Sequence, residues 1–100
     1  MKQLMVVFDF PTASEQQYKA AWDAIRASGH ANPKGLIFHV GASKPDGGMM
    51  ITDVWESEQA FNEFSKVLMP IIAQQGFPQT MPLMMPVSYV YEANAVGTMQ

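Results

Sequence analysis

The chain has no cysteine among its 100 residues, which excludes a disulfide framework and a thiolate metal site and leaves oxygen or nitrogen as the source of any nucleophile. Charge is scarce. Charged residues make up 15% of the chain, six Lys and Arg against nine Asp and Glu for a net charge of −3. The cations are scattered, so the basic footprint that a phosphate backbone demands is missing and no nucleic-acid partner is expected. Long apolar runs are absent as well: Leu4-Met5-Val6-Val7-Phe8 is cut by Asp9, well short of a signal-peptide core or a bilayer span. No membrane association is expected, and the default location is the cytoplasm. The one Gly-Gly pair, Gly47-Gly48, lies between two strand patterns and not before a helix. It does not make a phosphate-cradling loop, and no cofactor is expected.

What is present is apolar. Hydrophobic residues account for 48% of the chain, too many for a disordered polymer and many for a sparsely charged lone monomer. A single domain over residues 1–100 is expected, burying roughly two thirds of its unfolded surface. Residues 3–10 alternate Leu4, Val6, Phe8 and Phe10 against Met5, Val7 and Asp9, a strand apolar on both faces. Thr12-Ala13-Ser14-Glu15 offers a capping box for a helix from about Ser14 to Ser28, with Tyr18, Trp22 and Ile25 on one stripe. Gly35 to Ser43 and Met49 to Glu56 read as a hairpin around Lys44-Pro45-Asp46-Gly47-Gly48.

Asp53-Val54-Trp55-Glu56 then passes at Ser57, a good N-cap residue, into a helix whose inward stripe is Phe61, Phe64 and Leu68. Pro70 is expected to end or kink it, with a short extension to Gly76. Pro82 and Pro86 lack amide donors, so a last strand from about Leu83 to Glu92 belongs at a sheet edge. The tail, 94–100, is expected to fray.

The element order, β-α-β-β-α-β, is the ferredoxin-like α+β arrangement: an antiparallel sheet with both helices on one face. The other face needs a cover. Leu4, Val6, Phe8, Phe38, Val40 and Val54 are expected to form an apolar patch too large for a soluble monomer, and two sheets packed face to face in a homodimer would bury it.

With Val54-Trp55-Glu56-Ser57-Glu58-Gln59-Ala60-Phe61 at the junction of third strand and second helix, and this element order over most of its length, the chain resembles the dimeric α/β-barrel family. That family includes antibiotic-biosynthesis monooxygenases and haem-degrading monooxygenases. The resemblance implies two protomers pairing their sheets into a barrel, with a cleft in each between its own sheet and helices. It implies cofactor-free oxygenase, haem-degrading or isomerase activity. The haem branch fails on residues: its members pair the tryptophan with a second-helix histidine and a first-strand asparagine. Here Ser57 to Gln75 holds no histidine and Met1 to Phe10 no asparagine.

If the turn sets Ala42 opposite Met50, His39 falls opposite Asp53 and Ile37 opposite Trp55, with His39, Asp53 and Trp55 on one face. The resemblance turns that face, with its tryptophan, toward the helices. Trp55 then walls a cleft that Trp22, Tyr18, Phe61 and Phe64 line from the helices, with Asp9 at the rim, suited to a flat aromatic small-molecule ligand. His39 is the candidate general base and Asp53 the partner that holds its tautomer. The competing readings are a structural His39–Asp53 pair and a Trp55 that only closes the core. His39, Asp53 and Asp9 have metal-binding chemistry but no closed spacing motif, and no metal is expected. His30 reads as a loop residue, and the methionines near the last strand as core or seam filler. Ser57 and Ser65 read as an N-cap and a surface residue, against a serine hydrolase.

The expected function is a small-molecule-binding homodimer, a cofactor-independent monooxygenase or isomerase acting on an aromatic or enolisable metabolite. The alternative is a non-catalytic dimeric ligand-binding or assembly module in which the His39–Asp53 pair is structural.

Overall fold

The computed structural model describes residues 2–78 and 80–91. Its elements are β1 (Leu4–Phe10), α1 (Glu15–Ala27), β2 (Leu36–Ser43), β3 (Met49–Trp55), α2 (Glu58–Gln74) and β4 (Leu83–Pro86). The strands form one antiparallel sheet in the order β2-β3-β1-β4, which is the ferredoxin-like topology. β4 stands at an edge and Pro86 is its last residue, where a missing amide donor is tolerated. The strand stops at Pro86, short of the expected Glu92: residues 87–91 are not strand, while Glu92 and the tail 94–100 lie outside the described residues.

Local chemistry starts and stops the helices. Ser14 caps α1, its hydroxyl accepting from the Gln17 amide at 3.0 Å while the Gln17 side chain accepts from the Ser14 amide at 2.8 Å. The box is therefore Ser14 to Gln17, not the Thr12 quartet, because the glutamine three residues on closes the reciprocal pair. Ser57 caps α2 by accepting from the Ala60 amide at 3.1 Å. Pro70 does not end α2, which runs through it to Gln74; the ring costs one backbone donor, which packing of the surrounding turns offsets.

The turn sets the hairpin register as expected over its near half, with Ala42 opposite Met50 and His39 opposite Asp53. Between Leu36 and Phe38 the register slips, so Leu36, not Ile37, faces Trp55. Ile37 is the extra residue of a bulge, and the odd count returns Leu36 to the helix side while Ile37 and Phe38 both stay exposed.

β1 overturns the expected division of faces. Leu4 lies opposite Trp55 and Val6 opposite Asp53, so Leu4, Val6, Phe8 and Phe10 point at the helices and are buried. Met5 and Val7 take the open side. Period two in a strand apolar on both faces fixes the alternation but not its sense; pairing with β3 decides it. The open face still carries exposed Phe38, Val40, Met50 and Leu83. The core lies wholly between sheet and helices: Trp55 is fully buried, tilted against Phe64 and edge-on to Phe61 at 5.4 and 5.9 Å between ring centroids.

Candidate active site

β2 and β3 place His39 and Asp53 as a directly opposed pair on the helix-facing side, and their Nδ1 and Oδ1 atoms lie 2.5 Å apart. Asp53 is buried. Its second oxygen, Oδ2, accepts from the Trp55 indole N–H at 3.3 Å, so both carboxylate oxygens are engaged and the indole is fixed as well as packed. A charge-assisted bond of this kind is worth roughly twice a neutral one.

The other ring nitrogen of His39 meets α1. Tyr18 Oη lies 2.6 Å from Nε2, and the Trp22 indole N–H donates to the same nitrogen at 3.3 Å. An indole N–H only donates, and a carboxylate only accepts. The geometry is therefore that of the neutral imidazole with its proton on Nδ1, and with the Nε2 lone pair receiving Tyr18 and Trp22. Tyr18 and Trp22 reach one atom because they sit one turn apart on a single helix face. The Tyr18 ring is parallel to the imidazole, within 1°, whereas the Trp22 ring stands edge-on at 81°.

Gly41 makes this approach possible. A β-carbon there would lie 2.8 Å from the Tyr18 ring and hydroxyl, closer than such atoms pack, so the bare strand backbone serves as the seat of the phenol. Burial pushes the Tyr18 hydroxyl above its ordinary pKa; the hydrogen bond with Trp22 acts against this, and the Asp53 charge adds to it. Tyr18 is held as O–H.

Around this group lies a cavity of about 40 Å³, lined by Tyr18, Trp22, His39, Asp53 and Trp55 and closed by apolar side chains including Phe8 and Phe64. That volume admits about three waters. A drug-sized ligand needs several hundred Å³, so an aromatic guest has to displace side chains on entry. Phe61 does not join the lining and instead backs Trp55.

Asp9 is elsewhere. It lies opposite Met50 on the open side of the sheet, exposed, and accepts from Lys44 Nζ at 2.7 Å. The first-strand parity that buries Phe8 and Phe10 turns Asp9 outward. Among the described residues no three His, Cys, Asp or Glu side chains gather where they could hold a metal ion. His30 contacts Ser28 Oγ through Nδ1 at 3.0 Å, at the exit of α1. What sequence reading missed is the polar role of Tyr18 and Trp22, assigned only as ring surfaces, and the function of Gly41. Their i, i+4 spacing and a glycine two residues after His39 were the available signals.

No protein-family model and no curated protein matches the chain. Solved structures do. A putative antibiotic biosynthesis monooxygenase from Chloroflexus aurantiacus superposes with a TM-score of 0.63 at 16% identity, covering 90% of this chain and 97% of that one. The chain has the antibiotic-biosynthesis-monooxygenase fold. SnoaB, a cofactor-independent oxygenase from Streptomyces nogalater, shares this fold with it at a TM-score of 0.61 and 14% identity, over 94% of this chain and 99% of that one. So does a monooxygenase from Streptomyces coelicolor solved with the ligand Nanaomycin D, at 0.59 and 16% over 93% of each chain. At these identities the likeness is one of architecture, and the side chains at the site have to be read from this chain alone.

Proposed function

We propose that the chain is a small-molecule-binding protein acting as a cofactor-independent monooxygenase or isomerase on an aromatic or enolisable metabolite, with His39 as general base and Asp53 as its orienting partner. The observation that carries this reading is the polarity of the relay: Asp53 holds the proton at Nδ1, so the basic lone pair at Nε2 points into the cavity, where an aromatic hydroxyl already sits on it. The names of two fold neighbours, a cofactor-independent oxygenase and a monooxygenase bound to Nanaomycin D, support the reaction class.

The chemistry needs little from the protein. A phenol with a free para carbon, once deprotonated, donates electrons to O₂; uptake of one oxygen atom and release of water leave the quinone, so the substrate supplies all four electrons. Isomerisation needs only proton removal and return. In both cases the base and a dry pocket are the protein's contribution.

The test is ring ¹⁵N NMR of His39 with added 1-naphthol, together with oxygen uptake over a panel of phenols. The expected result is a shifted Nε2 signal, and loss of about 10²–10⁴ in rate for His39→Gln with the fold intact. A second reading is favoured by the partners His39 already has: both ring nitrogens are satisfied within the protein and the cavity is small. In it the network is structural and the chain is a non-catalytic binding or assembly module. Naphthol that leaves the imidazole signal unmoved, with unfolding of His39→Gln, decides for that reading. Both readings include a homodimer built on the open sheet face, supported by exposed Phe38, Val40 and Met50.

A further inference from the structure

We propose that Tyr18 is the proton relay of this site, so that a ligand hydroxyl hands its proton to Tyr18 Oη while Tyr18 passes its own to His39 Nε2. The proposal rests on the reading of His39 as the base and specifies what that base can reach. Three observations carry it. Tyr18 lies 2.6 Å from Nε2 with its ring parallel to the imidazole, within hydrogen-bond reach of the single lone pair that this nitrogen carries. Trp22 occupies the remaining approach to the same atom at 3.3 Å. Gly41 leaves bare backbone under the phenol ring, so Tyr18 has a seat of its own and is not a side chain resting on the site by default.

Together these bar a ligand from direct contact with Nε2 and leave Tyr18 Oη as the outermost atom of the chain Asp53, His39, Tyr18. The proton count balances. The ligand O–H bond breaks and its proton bonds to Tyr18 Oη; the former Tyr18 proton bonds to Nε2; Tyr18 is regenerated neutral. The products are a ligand oxyanion, hydrogen-bonded by Tyr18, and an imidazolium held by Asp53. Transfer through a phenol is efficient between oxygen and nitrogen and poor from carbon. The substrate class is accordingly a phenol or an enol that presents O–H, and not a ketone whose acidic proton is on carbon.

The experiment uses 4-nitrophenol, whose anion is read by its visible absorbance, bound to the full chain at saturating protein. On the parent protein the bound probe is ionised and the His39 ring nitrogens show the imidazolium signature. With Tyr18→Phe the probe still binds, but the ratio of anion to phenol at equal occupancy falls about tenfold to a hundredfold, the worth of one hydrogen bond to a charged group. Gly41→Ala, which removes no ionisable group and only unseats the ring, is expected to give a loss in the same direction. Retention of the ionised probe in both variants, with His39→Gln abolishing it, overturns the relay and leaves His39 as a directly acting base. Failure of the parent protein to ionise the probe overturns the relay and the base together.

Discussion

The two faces of the one sheet are made from similar residues and carry opposite kinds of surface. Toward the helices, Leu4, Val6, Phe8, Phe10, Met49, Ile51 and Trp55 are buried, and the polar groups among them are matched donor to acceptor: Asp53 with His39 and Trp55, His39 with Tyr18 and Trp22. Among the described residues no buried side-chain nitrogen or oxygen lacks a partner. On the other side Phe38 and Val40 are about half exposed, at 54% and 45%, with Met50 on the neighbouring strand, Leu83 on the opposite edge strand and the Asp9–Lys44 pair near one end. A buried polar network holds one geometry because every alternative leaves a group unsatisfied. An open apolar face is indifferent to its own details until a partner covers it. The closed side holds one fixed polar arrangement, and the open side leaves apolar surface uncovered.

The sharpest way to break this contrast is Trp55→Ala. Removal of a fully buried indole, with its bond to Asp53, is expected to cost about 3–5 kcal/mol, measured by urea unfolding followed by far-UV circular dichroism. A cost near that of a surface substitution would mean that the helix side is not the core. Val40→Asp is the matching change on the open side, with an expected intrinsic cost of about 0.5 kcal/mol or less and a separate effect on assembly. Light scattering should show the mass of the parent protein halved, and the melting temperature should no longer depend on protein concentration. An unchanged mass would show that the open face is not where copies meet.

The smallest effect concerns Tyr18 and alkaline pH. Its folded pKa is raised above the ordinary value of 10.0, so the contribution to stability is full below that value and is lost as pH climbs through the raised one. The melting temperature of the parent protein should therefore fall further than that of Tyr18→Phe as pH is taken above 10. Parallel declines would show that the hydroxyl is not desolvated in the fold.

Much of the architecture was legible because it rests on local codes. The switch from period two to a helical stripe at Ser57, the turn residues 44–48 and the proline-bearing edge strand each act over a few residues. The pairing of His39 with Asp53 followed by counting from the turn. The same count failed at Ile37: Leu36, Ile37 and Phe38 are all apolar, and nothing in such a run marks which residue is extra. Asp9 was misplaced because its strand is apolar on both faces. Tyr18 and Trp22 were read as walls, since a stripe on a helix does not tell which atom on the sheet its polar tips will meet.

The amino-acid order alone determined which segments are strands and helices, how the hairpin turns, and that an imidazole and a carboxylate stand opposite each other, because these depend on periodicity and on turns of fixed length. Tertiary packing decided the sense of the first strand, the bulge that brings Leu36 beside Trp55, and the meeting of Tyr18 with His39 over Gly41. Those depend on contacts between residues far apart in the chain, where the fit of one surface against another sets the outcome and no local pattern encodes it.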